Sequence, residues 1–280
     1  MDGKALSKKI REEVKEEVGL LKQKGVAPGL AVIIVGEDPS SKIYVNLKKK
    51  ACEEVGMFSK EYSLDENVTE QTIKELIQEL NKSENIHGIL LQLPLPKHLN
   101  EKKLLEEISP EKDVDGIHPV SAGKLLLGQD SFVSCTPAGV MEMLKEYNID
   151  IEGKECVIIG RSNIVGKPQF HLLLKENGTV TICHSKTKDL ANVCRRADIL
   201  VAALGRAEFI KGDMIKEGAV VIDVGINRDF ETNKIKGDVE FSSAVQKASY
   251  ITPVPGGIGP MTIAMLLKNT LKACKAHYCI

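Results

Sequence analysis

Gly160-Arg-Ser-Asn-Ile-Val-Gly166 follows the apolar run Cys156-Val-Ile-Ile159 and leads into a helical pattern. In a strand-to-helix turn of this kind a dinucleotide pyrophosphate meets backbone N–H groups and the positive end of the helix dipole. The segment departs from Gly-x-Gly-x-x-Gly: Ser162 stands at the second glycine and the last glycine comes one residue late, so a phosphate cradle and a plain tight turn both fit. The next strand-like run ends Cys183-His184-Ser185-Lys186, without the carboxylate that would hold a ribose 2′-hydroxyl. That end favours a 2′-phosphate, for which Arg161 offers a planar fork and Ser185 a hydroxyl. Without a nucleotide, both read as surface residues.

The segment Thr252-Pro-Val-Pro-Gly-Gly-Ile-Gly-Pro-Met-Thr262 forms a stiff loop, because its prolines pin φ and its glycines admit positive φ and close backbone approach. Helical spacing follows from Met261, which aims free N–H groups at whatever the loop holds. A sharp turn between domains is the competing reading.

Tyr44 and Lys48 lie four apart on a predicted helix and share one face. Tyr-x-x-x-Lys is the catalytic pair of short-chain dehydrogenases, but there the glycine loop precedes the pair and here it follows. The alternative sets Tyr44 at a helix–sheet contact and Lys48 on a solvated face. Gln92 ends a buried strand and meets alternating prolines, Pro94 and Pro96, which places an amide in need of partners at the sheet's carboxyl edge. In Asp113-Val-Asp115-Gly-Ile-His-Pro119 one carboxylate could accept paired N–H groups from a heterocycle. Calcium is set aside for want of the alternating oxygen ligands and distal Glu, and the histidines show no ligand spacing, so no metal is expected.

The elements that position these residues follow from pattern and composition. A chain of 280 residues with 42% apolar and 28% charged residues suits two soluble domains. It holds no long apolar run to cross a bilayer, and Met1–Ile10 reads as the start of an amphipathic helix rather than a secretory leader. Seven cysteines, an odd number without a Cys-x-x-Cys pair, fit reduced thiols in the cytoplasm. A net charge of −1 gives no general reason to bind nucleic acid, so small molecules are the expected partners.

Helical and extended patterns alternate throughout. Leu30-Ala-Val-Ile-Ile-Val35 is a buried parallel strand, followed by a helix over 42–55, a strand over 58–63, a helix over 69–80 and a strand over 87–91. Glycines and prolines break the rhythm over 109–136. The pattern restarts with Cys156–Ile159, a helix over 165–175, and strands over 179–183, 199–203 and 219–223. The fold class is α/β, and the second half is a Rossmann-type doubly wound parallel sheet whose ligands lie beyond the strands' carboxyl ends. Residues 1–136 with 260–280 are expected to form one domain and 137–259 the other.

Six ordered blocks together resemble the bifunctional methylenetetrahydrofolate dehydrogenase/methenyltetrahydrofolate cyclohydrolase family: Ser41-Lys-Ile-Tyr44-Val-Asn-Leu-Lys48, Gln92-Leu-Pro-Leu-Pro96, Asp113-Val-Asp-Gly116, Cys135-Thr-Pro137, Gly160 to Gly166 and Thr252 to Thr262. The resemblance covers nearly the whole chain. Ile258 replaces a commoner valine, and Gly205-Arg206-Ala207 lacks a proline often found there.

The resemblance implies two α/β domains flanking a cleft, a homodimer, tetrahydrofolate derivatives held by the first domain and NADP by the second. It assigns oxidation of 5,10-methylenetetrahydrofolate to the methenyl form and then hydrolysis to 10-formyltetrahydrofolate. The hydride step needs alignment, whereas water attack needs proton removal. Lys48 is the implied base, since a partly desolvated lysine beside a cationic substrate has its ammonium form disfavoured, and Gln92 holds its amine. Tyr44 offers an aromatic face, Asp115 pairs with the pterin, and Ser41 and the Pro255-Gly256-Gly257 backbone complete the substrate contacts. Gly160, Arg161, Ser162, Gly166, Ser185 and Ile226 are the implied NADP contacts. Two rivals stand beside this reading: a short-chain-type NADP dehydrogenase acting on a hydroxy or carbonyl compound, and a nucleotide-sensing protein that turns nothing over.

Overall fold

A computed structural model describes residues 1–228 and 234–280. The chain divides into two compact units: Lys8–Val133 with Ile263–Ile280, here the first unit, and Met1–Ser7 with Ser134–Thr262, the second. The seven N-terminal residues group with the second unit because the Met1 amine donates to Ile251 O at 2.7 Å and Lys4 N to Gly256 O at 3.0 Å.

After helix α1 (Gly3–Gln23), the first unit builds strand β1 (Gly29–Val35), α2 (Pro39–Val55), β2 (Phe58–Leu64), α3 (Glu70–Lys82) and β3 (Gly88–Leu91). The three strands are parallel in the order β2–β1–β3. Central β1 is apolar and buried at every position, as a parallel strand covered on both faces must be, whereas edge strand β2 alternates Lys60, Glu61 and Ser63 with half-buried residues. Helix α3 closes one face of the sheet with Ile73, Ile77 and Leu80, a stripe of helical period that packs on Ile33, Ile89 and Leu91. Helix α2 begins three residues before its apolar pattern suggests, since the Asp38 carboxylate accepts Ser41 N at 2.7 Å and Pro39 suits the first turn.

The 109–136 stretch is more ordered than its composition suggests. After α4 (Glu101–Glu106) come a 3₁₀ turn (Pro110–Lys112) and α5 (Pro119–Leu126). The C-terminal helix anchors the stretch, because Asn269 Nδ2 donates to Val114 O at 2.8 Å and to Val133 O at 3.0 Å.

The second unit opens with α6 (Cys135–Glu146) and continues through β4 (Glu155–Ile159), α7 (Gly166–Lys175), β5 (Thr179–Cys183), α8 (Leu190–Cys194), β6 (Ile199–Ala202), a 3₁₀ turn (Gly212–Met214) and β7 (Val220–Asp223). An antiparallel pair, β8 (Asn227–Arg228) and β9 (Ile235–Lys236), follows, then α9 (Phe241–Ala244), β10 (Tyr250–Ile251) and α10 (Ile258–Tyr278). The sheet is parallel in the order β10–β7–β6–β4–β5. The chain reverses direction of growth at β4, so the crevice at the carboxyl ends of β4 and β6 is the topological switch point where a doubly wound sheet takes its ligand. No described helix is long and apolar enough to cross a membrane.

Two buried carboxylates hold the loops at that end of the sheet. Asp223, the last residue of β7, accepts Gly225 N, Asp238 N and Val239 N, each at 2.9 Å, while its own N–H donates to Thr252 Oγ1 at 2.8 Å. Asp238 accepts Leu204 N, Gly205 N and Arg206 N at 2.7–2.9 Å, and Asn227 Nδ2 at 2.9 Å. The approach is close enough that a Cβ on Gly237 would lie 1.9 Å from Asp223 Oδ2, so only glycine fits there.

Burial, aided by the charge of Asp238, pushes the Asp223 carboxyl up to about 6 from its ordinary 3.8. A carboxyl raised on folding contributes stability in full below its ordinary value and loses it as pH rises through about 6. Asp223→Asn removes that titration and leaves an amide facing the Val239 N–H, which costs about 1–3 kcal/mol. The variant is therefore expected to be less stable than wild type at acid pH, with the gap narrowing by on the order of 2 kcal/mol between about pH 4 and about pH 7. Urea unfolding across that range measures the gap, and a gap independent of pH contradicts the raised carboxyl.

Candidate active site

In the first unit the candidate catalytic residues assemble from α2 and the end of β3. Ser41, Tyr44 and Lys48 are spaced i, i+3, i+7 and lie along one face of α2. Ser41 is buried, and Tyr44 and Lys48 are half-buried. Burial raises the Tyr44 phenol above its ordinary value, so this side chain is a neutral ring with a hydroxyl at working pH.

Gln92 follows β3, and its backbone N–H donates to Ile33 O at 2.8 Å, one step beyond the β1–β3 pairing. Its side chain is fixed at both ends. Nε2 donates to Leu93 O at 2.7 Å, which turns Oε1 outward to accept from Lys48 Nζ at 2.9 Å. The Leu93–Pro94 peptide is cis. The Gln92 amide thus gives the lysine amine an oriented neutral acceptor.

The two aspartates of the 113–115 segment divide their work. Asp113 is buried and spent on structure: it accepts Ile117 N at 3.2 Å, His118 N at 2.9 Å and Ser121 Oγ at 2.6 Å. Burial pushes its carboxyl up. Asp115 is half-buried and makes no hydrogen bond to a described residue, which leaves its carboxylate to accept from a ligand. Its position depends on Asp113 and on Asn269, which grips the intervening Val114 carbonyl.

In the second unit the turn after β4 has the shape that the imperfect glycine pattern left open. Gly160 has φ 132°, and a Cβ there would lie 2.1 Å from Ala203 O; a Cβ on Gly166 would lie 2.1 Å from Gly160 O. The first glycine thus permits the turn at the switch point and the last permits close helix–strand packing. Ser162 Oγ accepts Val165 N at 3.1 Å and Gly166 N at 3.4 Å, closing the turn that leads into α7 while its O–H proton can still donate.

Arg161 and Ser185 are both exposed. Ile159 pairs with Cys183 in the β4–β5 register, so Arg161 and Ser185 stand two residues past equivalent positions on neighbouring strands. Ile226 is 46% exposed three residues beyond Asp223. Pro255, Gly256 and Gly257 lie in the turn before α10, which Thr252 ties to Asp223 at one end and Lys4 N holds at Gly256 O. The carboxylates of Asp223 and Asp238, which shape these loops, escaped sequence reading. Asp223 at the end of an apolar run was the one available signal.

Two family models match this chain. "Tetrahydrofolate dehydrogenase/cyclohydrolase, catalytic domain" matches residues 1–115, and "Tetrahydrofolate dehydrogenase/cyclohydrolase, NAD(P)-binding domain" matches residues 134–278. The bifunctional protein FolD of Acetivibrio thermocellus is 62% identical over 275 residues, covering 98% of this chain and 96% of that protein. The bifunctional FolD methylenetetrahydrofolate dehydrogenase/cyclohydrolase structure from Campylobacter jejuni has a TM-score of 0.97 at 54% identity, covering 98% of both chains. The Trypanosoma brucei enzyme, solved with NADP cofactor and an inhibitor, has a TM-score of 0.96 at 42% identity, covering 100% of this chain and 98% of that one. The family models and these relatives are all folate enzymes. The chain belongs to the tetrahydrofolate dehydrogenase/cyclohydrolase family, as an enzyme with methylenetetrahydrofolate dehydrogenase and methenyltetrahydrofolate cyclohydrolase activities.

Proposed function

We propose that Lys48 is the base of the hydrolytic reaction, and that its 2.9 Å contact with Gln92 is the observation that carries this reading. The enzyme oxidises 5,10-methylenetetrahydrofolate to the methenyl cation, then adds water to give 10-formyltetrahydrofolate and a proton. NADP, when bound, takes the hydride from the bridging carbon. The protein's task in that step is to hold donor and acceptor in line.

Hydrolysis asks more of the side chains. Water attacking the bridging carbon must lose a proton, and the Lys48 amine is placed to accept it, with Gln92 Oε1 fixing its direction. The positive charge of the methenyl substrate disfavours a neighbouring ammonium, which favours the basic form when it is needed. Tyr44 packs its ring on the planar part of the substrate, Asp115 accepts from the pterin's donors, and Ser41 contributes a hydroxyl. The backbone of Pro255, Gly256 and Gly257 is a further proposed substrate contact.

Gly160 and Gly166, whose missing Cβ atoms make room for the Ala203 and Gly160 carbonyls, give the tight strand-to-helix turn on which a nucleotide's pyrophosphate sits. Gly160, Ser162, Gly166 and Ile226 would hold NADP there, and Arg161 with Ser185 would take its 2′-phosphate. On this division residues 1–136 with 260–280 serve folate and 137–259 serve NADP. We place the enzyme in the cytoplasm, where the free thiols of its seven cysteines stay reduced, as a homodimer whose 10-formyl product feeds purine biosynthesis.

Two variants test these assignments. Lys48→Met keeps the side-chain stem and removes the amine, so hydrolysis falls about 10²–10⁴-fold while the dehydrogenase suffers less and methenyl compound accumulates. Its absorbance over time, corrected for uncatalysed hydrolysis, reads the outcome; clearance at the wild-type rate removes Lys48 from the mechanism. Arg161→Ala should lower the ratio of kcat/KM for NADP over NAD by roughly ten- to a hundred-fold, the loss of one charge-assisted contact. An unchanged ratio would assign the 2′-phosphate to other residues.

A further inference from the structure

A second cavity lies in the first unit at the other end of β3. His87 precedes that strand and Gln92 follows it, so about 16 Å of extended backbone separates the cavity wall from the Lys48–Gln92 pair. Its volume is about 260 Å³, and Val120, Phe132, Ala273 and Ala276 supply apolar wall. A cavity of about 150 Å³ lined by apolar side chains already accepts benzene, so this one has room for a ring with a polar substituent.

The wall holds both amines and carboxylates, and one of its cations has no counter-charge. Lys112 is only 8% exposed, and its ammonium donates to Leu80 O at 3.0 Å and Ser83 O at 2.6 Å, with no carboxylate partner among the described residues. A buried cation without a counter-charge is costly unless an anion joins it. The other charges offset one another: Lys272 pairs with Asp130 at 2.5 Å, and Lys124 lies near enough to Glu111 to lower that carboxyl. A single positive charge is left at the inner end.

His87, 3% exposed, belongs to the same wall and packs against the His277 and Tyr278 rings. Its Nδ1 accepts Gly29 N at 3.0 Å, so the neutral ring carries its proton on Nε2, and that buried N–H has no hydrogen-bond partner. Burial, with Lys112 and His277 nearby, pushes this imidazole down to about 4, which keeps it neutral and a donor at Nε2. The Ser131 hydroxyl is likewise buried without a partner. None of these groups takes part in the folate or nucleotide chemistry described above.

We infer that this cavity binds a small flat organic anion, a single ring bearing a carboxylate, with the carboxylate on Lys112 and the ring against Phe132 and Val120. The unpaired cation selects a negative group, and the apolar wall selects the ring.

Benzoate is the probe, with benzamide as its neutral counterpart of nearly the same shape. Titration of the full-length protein is followed by the NMR signal of the His87 ring Cε1–H, which lies in the cavity wall. Benzoate should shift that signal saturably and bind at least about ten-fold more tightly than benzamide. Ala276→Leu, a helix-compatible change at an exposed position, fills part of the cavity and should weaken benzoate at least about ten-fold. Lys112→Met should erase the preference for benzoate over benzamide; should that variant not fold, the other two arms decide. No saturable shift of His87, equal affinity for the two probes in wild type, or unchanged affinity in Ala276→Leu would each overturn the site.

Discussion

Two buried carboxylates set the geometry of the nucleotide-binding unit. Asp223 and Asp238 place their acceptors under the backbone N–H groups of the loops that follow β6, β7 and β9. Loops cannot supply these N–H groups with partners of their own, and a buried N–H without an acceptor costs about 1–3 kcal/mol. Satisfying them with side chains leaves the loops irregular yet fixed. The link from Asp223 N to Thr252 Oγ1 carries the same constraint into the proline–glycine loop before α10. The glycines follow from this arrangement: a side chain at Gly225 or Gly237 would occupy the space of a carboxylate.

The first unit solves a different problem with a smaller device. The proposed base must be aimed at its substrate. The amide of Gln92 gives the Lys48 amine an oriented acceptor that carries no charge of its own. The amide is aimed in turn by its own bond to Leu93 O and by the strand that ends at Leu91. Asp115 repeats the division between positioning and contact. Asp113 spends its oxygens on the turn and Asn269 holds the carbonyl between them, which leaves the second carboxylate unspent.

The sequence was legible where one physical signal dominated. Continuous apolar runs marked β1, β4, β6 and β7, since parallel strands buried on both faces tolerate nothing else. Spacing put Tyr44 and Lys48 on one helix face, and Gln92 at a strand end followed from the prolines behind it. The turn after β4 was ambiguous as a pattern, because a pattern does not say what a missing Cβ avoids; the Ala203 carbonyl is 43 residues away in sequence. The Asp223–Asp238 system was illegible for the same reason, as its acceptors serve donors brought together only by the sheet. Order in the 109–136 stretch depends on Asn269 of a distant helix, and composition alone read the stretch as a break.

The central assignment, Lys48 as proton acceptor in hydrolysis, is tested most directly by chemical rescue. In Lys48→Ala the side chain's place is vacant, and small primary amines can enter it. Hydrolysis of methenyltetrahydrofolate should return in proportion to added methylamine and ethylamine, after subtraction of the amine-catalysed reaction without enzyme, while the dehydrogenase rate stays where it was. Rescue of hydrolysis alone assigns the proton to Lys48. Equal response of both activities, or restoration of neither by any amine that binds, would mean that Lys48 acts by holding the substrate and that another group takes the proton.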